Sequence, residues 1–300
     1  MKIVAAGLSG LIGRPLKGRL IQKNELVLLK RKNSTDTSQG TLRQVLWDPP
    51  QIGEWAKEVD GADAVINLSG EPIAEKRWTA AQKKELKNSR LNTTRAIVDA
   101  ILRAKNKPKV LLNASAIGFY GPRNHSALDE GAEAGEGFLA EMCQEWESEA
   151  RRAESSGVRV VRLRTGIVLA KEGGALAKMA PPFRFFLGGP LGGGQQMMSW
   201  IHIEDEVGAM IKILEDPNIH GAVNLTAPQP VTMREFARAL GKTLNRPALF
   251  PVPAFALKIL LGEMSEMLLT GQNVYPKKLL EAGFKFKYPS LDPALKSLLT

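Results

Sequence analysis

Near the amino terminus, Gly7-Leu8-Ser9-Gly10-Leu11-Ile12-Gly13 places three glycines at even spacing after the apolar run Lys2-Ile3-Val4-Ala5-Ala6. Between a strand and a helix, one such glycine permits a tight turn and another lets the backbone approach a pyrophosphate. The last lets the helix pack closely on the strand. The helix amino terminus then presents N–H groups to negative charge. The chemistry indicated is dinucleotide binding through Gly7, Ser9, Gly10, Leu11, Ile12 and Gly13. About 20 residues further on, the next apolar strand ends Leu29-Lys30-Arg31-Lys32, with no acid in reach. An acid there holds the ribose hydroxyls of NAD, whereas Lys30 and Arg31 suit the 2′-phosphate of NADP. NADP(H) is the expected cofactor.

Residues able to move protons are fewer. Cys143 is the sole cysteine, which excludes an intrachain disulfide and a cysteine-based metal cluster. His125, His202 and His220 are too widely spaced for a metal site, so no metal is expected. Ser115 ends an apolar strand, Tyr120 follows it, and His202 precedes Asp205 at a strand-to-helix turn. These three are the candidates for catalysis or for hydrogen bonding to a substrate. The alternative for Tyr120 is support of its loop, and for His202 a structural hydrogen bond. Cys143 shares one apolar helical stripe with Leu139, Met142, Trp146 and Ala150, and nothing around it supplies a base, so a core thiol is expected.

Alternating short apolar strands and helices must position these residues. Strands are expected at 2–6, 25–30, 42–47, 62–70, 109–115, 158–166 and 222–226, with helices at 14–23, 79–105, 135–155, 204–215 and 232–244. Thr79-Ala-Ala-Gln82 and Thr232-Met-Arg-Glu235 have the spacing of capping boxes. The pattern predicts an α/β fold, a Rossmann-type doubly wound parallel sheet covered on both faces, with a smaller C-terminal α+β domain on the substrate side. The division expected is 1–170 for cofactor binding, with the sheet completed by about 197–226, and 171–196 with 227–300 for the substrate. Residues 181–194, Pro/Gly-rich and partly apolar, read as a loop, with 187–194 a candidate lid.

Composition narrows the function classes. With 300 residues, 44% of them hydrophobic, the chain can bury a large core. Net charge is +10. The cations are scattered and mostly interleaved with acids, as in Glu75-Lys76-Arg77 and Lys83-Lys84-Glu85, so solvated helix faces account for most of them and nucleic acid is not an expected partner. No apolar run approaches about 18 residues, and no signal peptide opens the chain, so a cytoplasmic protein is expected with no membrane partner. Asn-x-Ser/Thr matches, among them Asn33, Asn92, Asn113 and Asn224, are then chance.

The glycine motif in this order of elements resembles the extended short-chain dehydrogenase/reductases, which include sugar-nucleotide epimerases. Asn67-Leu68-Ser69-Gly70-Glu71, Ser89-Arg90-Leu91, Leu163-Arg164-Thr165-Gly166, Leu187-Gly188-Gly189-Pro190 and Trp200-Ile201-His202-Ile203 narrow the resemblance to an atypical, epimerase-like subgroup with a small C-terminal region. The resemblance implies a seven-stranded sheet and NADP(H) at the carboxyl ends of the strands. It places Leu68, Ser69 and Gly70 on the adenosine side, brings Glu85 and Arg90 toward the cofactor from the long helix, and puts Ala114 and Val168 along the cofactor's path.

It also implies a Ser/Thr, a Tyr and a Lys that this chain lacks. The Ser/Thr slot falls on Ala116, the Tyr slot on Phe138 or Leu139, and the Lys slot on Met142 or Cys143. Two readings follow: an NADP-dependent oxidoreductase or epimerase acting on a small polar substrate, with a nucleotide sugar among the candidates, or a non-catalytic module that holds NADP(H) and reports its redox state.

Overall fold

The computed structural model describes residues 1–31 and 41–300; Lys32 and Asn33 lie outside the described residues, as do the side chains of Asn124 and His125. Seven parallel strands form the central sheet: β1 (Lys2–Ala6), β2 (Glu25–Lys30), β3 (Leu42–Leu46), β4 (Ala64–Asn67), β5 (Val110–Ala116), β6 (Arg159–Thr165) and β7 (Gly221–Leu225). Their spatial order is β3-β2-β1-β4-β5-β6-β7, so the direction of winding reverses between β1 and β4. Ligands of such sheets bind in the crevice outside the carboxyl ends of the strands at that reversal.

Strand alternation builds both faces. Ile3, Ala5, Leu26, Leu28, Val110 and Leu112 pack on one side with α1 (Gly13–Leu20). Val4, Ala6, Val27, Leu29 and Leu111 pack on the other against α2 (Ala80–Arg103) and the end of α3 (Phe138–Arg151). Near-continuous apolar strands are what a sheet buried on both faces requires. Beyond it, α4 (Gly174–Arg184), α5 (Ile203–Glu215) and α6 (Met233–Thr243) follow in order. A separate core joins Leu176, Ala180 and Phe183 of α4 to Phe236 and Leu240 of α6 and to Leu295 of the last helix.

Several expected elements differ in extent. Pro181–Arg184 finishes α4 and is not loop. Each proline removes a helical hydrogen bond, but Leu176, Ala180 and Phe183 recur at helical spacing on the buried face and hold the turn. The third helix begins at Phe138, not Gly135, because Gly137, at φ +94°, breaks the approach. At Gly135 a Cβ would lie 2.2 Å from the Tyr120 carbonyl oxygen, so that segment is packed against the loop after β5. The stretch expected as a strand over 62–70 pairs only at 64–67 and then turns outward. The Thr232 capping box is complete. At Thr79 the hydroxyl accepts from the Gln82 N–H, while the Gln82 amide nitrogen is buried without a partner.

Asn113 and Asn224 are fully buried, which excludes a glycan at either in the folded protein. Among the described residues, no helix is long and apolar enough to cross a membrane, and no group of His, Cys, Asp and Glu side chains is arranged to hold a metal.

Candidate functional site

The glycine loop leaves β1 beside the end of β4, and its three glycines face three different surroundings. At Gly7, φ is +81° and a Cβ would sit 2.4 Å from the Leu68 carbonyl carbon. At Gly13 a Cβ would sit 2.4 Å from the Leu8 Cα. Gly7 thus makes the turn and seats it on the β4 loop, and Gly13 lets α1 pack against the loop. At Gly10 the nearest atom is 3.6 Å away, so the space over it is open. No side chain caps α1, and its first turn carries no acid, which leaves a positive helix terminus beside that opening.

The opening belongs to a cleft of 460 Å³ at the carboxyl ends of β1, β2 and β4. Gly7, Ser9, Gly10, Lys30, Arg31, Leu68, Ser69 and Gly70 all line it, joined by Trp47 and Glu71. Arg31 is exposed at its rim and, among the described residues, makes no ion pair. Trp47 packs edge-on against Trp55 with centroids 5.4 Å apart, giving the β2–β3 side a rigid apolar wall. Leu11 and Val168 do not line the cleft, and Leu11 lies against the Gly173-Gly174 turn that follows the Val168 segment.

The β4 loop is anchored from below. Asn67, fully buried, donates to Asn113 at 2.8 Å and accepts from the Ser69 N–H at 3.1 Å. The Ser89 hydroxyl accepts from the Glu71 N–H at 3.0 Å. Arg90 donates to the Glu71 carbonyl at 3.1 Å and to the Leu86 carbonyl at 2.8 Å, with its guanidinium over the Trp146 ring at 5.3 Å. Burial lowers the pKa of Arg90, and among the described residues no carboxylate pairs with it. Glu85 is exposed, and it does not line the cleft. Ala114 is half-buried near the end of β5.

The three catalytic candidates lie in different company. Ser115 donates to Glu147 at 2.7 Å. That buried carboxylate also accepts from Arg164 at 2.8 and 2.9 Å and from Arg162 at 3.2 Å. The Tyr120 hydroxyl donates to Asn224 at 2.7 Å and accepts from Arg164 at 2.9 Å. Burial raises the pKa of Tyr120. Ser115 and Tyr120 are therefore brought together, by Arg164 and Glu147, inside one buried network. His202 stands apart. Its Nδ1 accepts from the Glu204 N–H at 3.0 Å, capping α5, and its Nε2 meets the Ser297 hydroxyl at 3.2 Å. Burial pushes its pKa down to about 4, so the ring is neutral and stacks on Tyr288.

The four slot positions on α3 are packed. Phe138 meets Trp78 edge-on, and Met142 joins Leu86 and Met264 in one apolar cluster. Leu139 and Cys143 face Gly118, where a Cβ would lie 3.3 Å from Leu139 and 3.8 Å from the Cys143 sulfur. Burial pushes the Cys143 thiol up to about 12. Sequence reasoning passed over Glu147, the organiser of the network. The signal was there: an acid at helical spacing from Cys143 and Ala150 on the apolar face, opposite alternating Arg162 and Arg164 on β6. A larger, shallower depression of 670 Å³ lies at the other edge of the sheet, lined by Arg151, Arg159 and His220. Arg159 there donates to the carbonyls of Ile213, Leu214 and Ile219, closing the end of α5.

Comparison with known proteins shows the family and the fold. Residues 3–225 match the NAD dependent epimerase/dehydratase family, and residues 252–298 match a domain of unknown function, DUF1731. The Epimerase family protein SDR39U1 homolog, chloroplastic, of Arabidopsis thaliana is 42% identical, covering 100% of this chain and 87% of its own. The Epimerase family protein ML0860 of Mycobacterium leprae is 39% identical, covering 99% of this chain and 95% of its own. The crystal structure of human epimerase family protein SDR39U1 (isoform2) with NADPH superposes with a TM-score of 0.89 at 34% identity, covering 99% of both chains. The chain belongs to the NAD dependent epimerase/dehydratase family.

Proposed function

We propose that the chain is an NADP(H)-binding oxidoreductase or epimerase-like enzyme acting on a small polar substrate, with nucleotide sugars the first class to try. The observation that carries the reading is the pairing of Gly10, open above its Cα, with the exposed Arg31 at the rim of the same cleft. In this reading Gly7 to Gly13 hold the pyrophosphate, Lys30 and Arg31 take the 2′-phosphate, and Leu68, Ser69 and Gly70 border the adenosine. Ala114, Val168 and Arg90 border the nicotinamide half, and residues 171–196 with 227–300 form the substrate side of the 1–170 cofactor domain. NADPH, when bound, supplies the hydride that reduces a carbonyl. The NADPH-bound human relative supports the choice of cofactor.

Titration of the pure protein with NADPH and NADH tests this, repeated with Arg31→Glu. The expected result is tighter binding of NADPH, with the preference lost in the variant. Equal binding of both cofactors and an inert substitution would overturn the phosphate assignment.

A second reading is favoured by one observation: the hydroxyls of Ser115 and Tyr120 are already engaged inside the protein. A non-catalytic NADP(H)-binding or redox-sensing module then fits. It requires no decay of the NADPH absorbance across carbonyl, sugar-nucleotide and quinone panels, together with different proteolysis rates for the NADP and NADPH forms. Turnover with any member of those panels rejects it.

A further inference from the structure

Large apolar side chains left in water are concentrated in one part of the molecule. Of twelve among the described residues, eight lie between residues 185 and 260. Phe185, Phe186 and Leu187 follow α4 directly, with Phe185 74% exposed. Leu249 and Phe250 stand beside them, because the Phe250 N–H donates to the Gly188 carbonyl at 3.1 Å and the Val252 N–H to the Pro190 carbonyl at 2.9 Å. Four residues after Phe250 begins the helix Ala254–Leu261, which exposes Phe255, Ile259 and Leu260 at 67, 74 and 69%. A monomer in water gains nothing from this arrangement, and apolar patches of this kind mark contact surfaces.

Within the two segments that carry the patch the charge has one sign. Residues 173–203 and 236–262 carry six cations, Lys178, Arg184, Arg238, Lys242, Arg246 and Lys258, and no Asp or Glu. Arg246 lies over the Phe186 ring at 4.5 Å. Lys242 pairs with Asp292, and the acid just beyond the second segment, Glu263, pairs with Lys83 at 2.6 Å. Arg184 and Lys258 make no ion pair among the described residues.

We propose that this face docks on an anionic membrane surface, its phenylalanine and aliphatic side chains entering the headgroup boundary while Arg184, Arg246 and Lys258 meet lipid phosphates. Exposed apolar side chains interspersed with cations are the combination that binds such surfaces. A second copy of this chain is a poorer occupant, since a self-complementary contact would set these cations against each other. A groove-seated peptide is also a poorer fit, since side chains two-thirds or more exposed protrude and do not line a groove. The face is tied to the segment that follows the β4 loop. Arg77 donates to the Ile259 carbonyl at 3.1 Å, and Lys178 donates to the Ala74 carbonyl at 2.7 Å. Docking therefore sets the orientation of segment 71–78, whose first two residues line the cleft, relative to the bilayer.

Cosedimentation of the full chain with vesicles of phosphatidylglycerol and phosphatidylcholine in equal parts tests the proposal, with pure phosphatidylcholine vesicles alongside. Binding to the anionic vesicles is expected, falling as salt is added. Phe185→Ser combined with Ile259→Ser is expected to weaken it roughly tenfold or more. Arg184→Glu combined with Lys258→Glu is expected to weaken it at least about 25-fold, at about fivefold for each cation removed. These side chains are exposed, and an unchanged thermal unfolding midpoint in each variant shows that folding is intact. No binding to the anionic vesicles overturns the proposal, as does equal binding to both vesicle types. Self-association in analytical ultracentrifugation that the apolar pair abolishes, without vesicle binding, also overturns it and assigns the face to a second copy.

Discussion

The two sides of the sheet's carboxyl edge are built on opposite principles. At the β1–β2–β4 side the structure leaves groups unfilled: open space over Gly10, an uncapped α1 and an exposed Arg31. At the β5–β6 side, against α3, the side chains engage one another, with Arg162 Nε left as a buried atom without a partner. Glu147 accepts from Ser115, Arg162 and Arg164, Tyr120 is held by Arg164 and Asn224, and Leu139 and Cys143 close on Gly118. Open backbone and uncompensated charge are what a ligand completes. Satisfied buried networks are what a fold spends on its own rigidity. One polypeptide edge thus keeps a receptive half beside a closed one.

The contrast breaks if the closed half can lose its centre without harm to the fold. Replacing Glu147→Ala leaves Arg164 and Arg162 buried without their counter-charge, which is expected to cost about 3–5 kcal/mol. Denaturant unfolding measures it. The same variant, at temperatures where it stays folded, is expected to bind NADPH within about twofold of the parent. A large loss of binding would mean that the two halves are energetically one site.

The glycines test the open half. Gly7→Ala puts a Cβ into the Leu68 carbonyl at positive φ and is expected to destabilise by about 3 kcal/mol. Gly10→Ala meets no such obstacle, so its stability is expected to stay within about 0.5 kcal/mol of the parent while NADPH affinity falls at least about tenfold. Similar effects at both positions would refute the division of labour between them.

How much of this could be seen in the sequence follows the same line. The open half was legible because its turn and its opening are made by backbone, and backbone demands show as residue type. Glycines mark close approach, and a strand ending in Lys30-Arg31 puts two cations on the cleft lining. The fold was legible for a related reason, since apolar strands such as Lys2–Ala6 and Val110–Ala116 alternate their side chains between two buried faces. The closed half was not legible in the same way. Its partners are 15 to 104 positions apart, as in Glu147–Arg162 and Tyr120–Asn224, and only the folded sheet brings them together. Local pattern also misled at Pro181-Pro182, where the buried stripe of α4 overrides two helix breakers.

Titration separates the halves further. Among the groups held neutral inside the protein, Glu206 has no partner for one carboxyl oxygen, and burial pushes its pKa up to about 8. Its folded value lies above its unfolded value of 4.5, so its contribution is fully present below pH 4.5 and is lost as pH rises toward 8. His202 has the opposite sign. Its pKa falls from 6.5 to about 4, so its contribution is present above pH 6.5 and is lost as pH falls through 4. Glu206→Gln is expected to raise stability at pH 8 by on the order of 3 kcal/mol relative to pH 5. His202→Asn, which keeps an N-cap acceptor, is expected to flatten the acid side by on the order of 2 kcal/mol. Thermal unfolding across pH reads both. Flat profiles in the parent would show that neither group is held neutral.

The smallest effect is expected at Cys143, which shares with Met142 the slot where the resemblance implies a lysine. Cys143 is buried, its pKa is pushed up to about 12, and the thiolate is the reactive form of cysteine. In the folded protein it is therefore expected to resist iodoacetamide at pH 8, and to react only as fast as the chain unfolds. Substitution by Ala removes one small side chain from the Gly118 contact and is expected to cost about 1 kcal/mol, with NADPH affinity unchanged. Labelling followed by mass spectrometry distinguishes the outcomes. Rapid labelling of the native protein, or protection that appears only when NADPH is added, would place Cys143 on the open side of the boundary. The comparison would then have to be redrawn with the α3 wall as part of the cofactor site. Slow labelling that tracks unfolding, with or without NADPH, leaves the thiol where its neighbours put it: as packing.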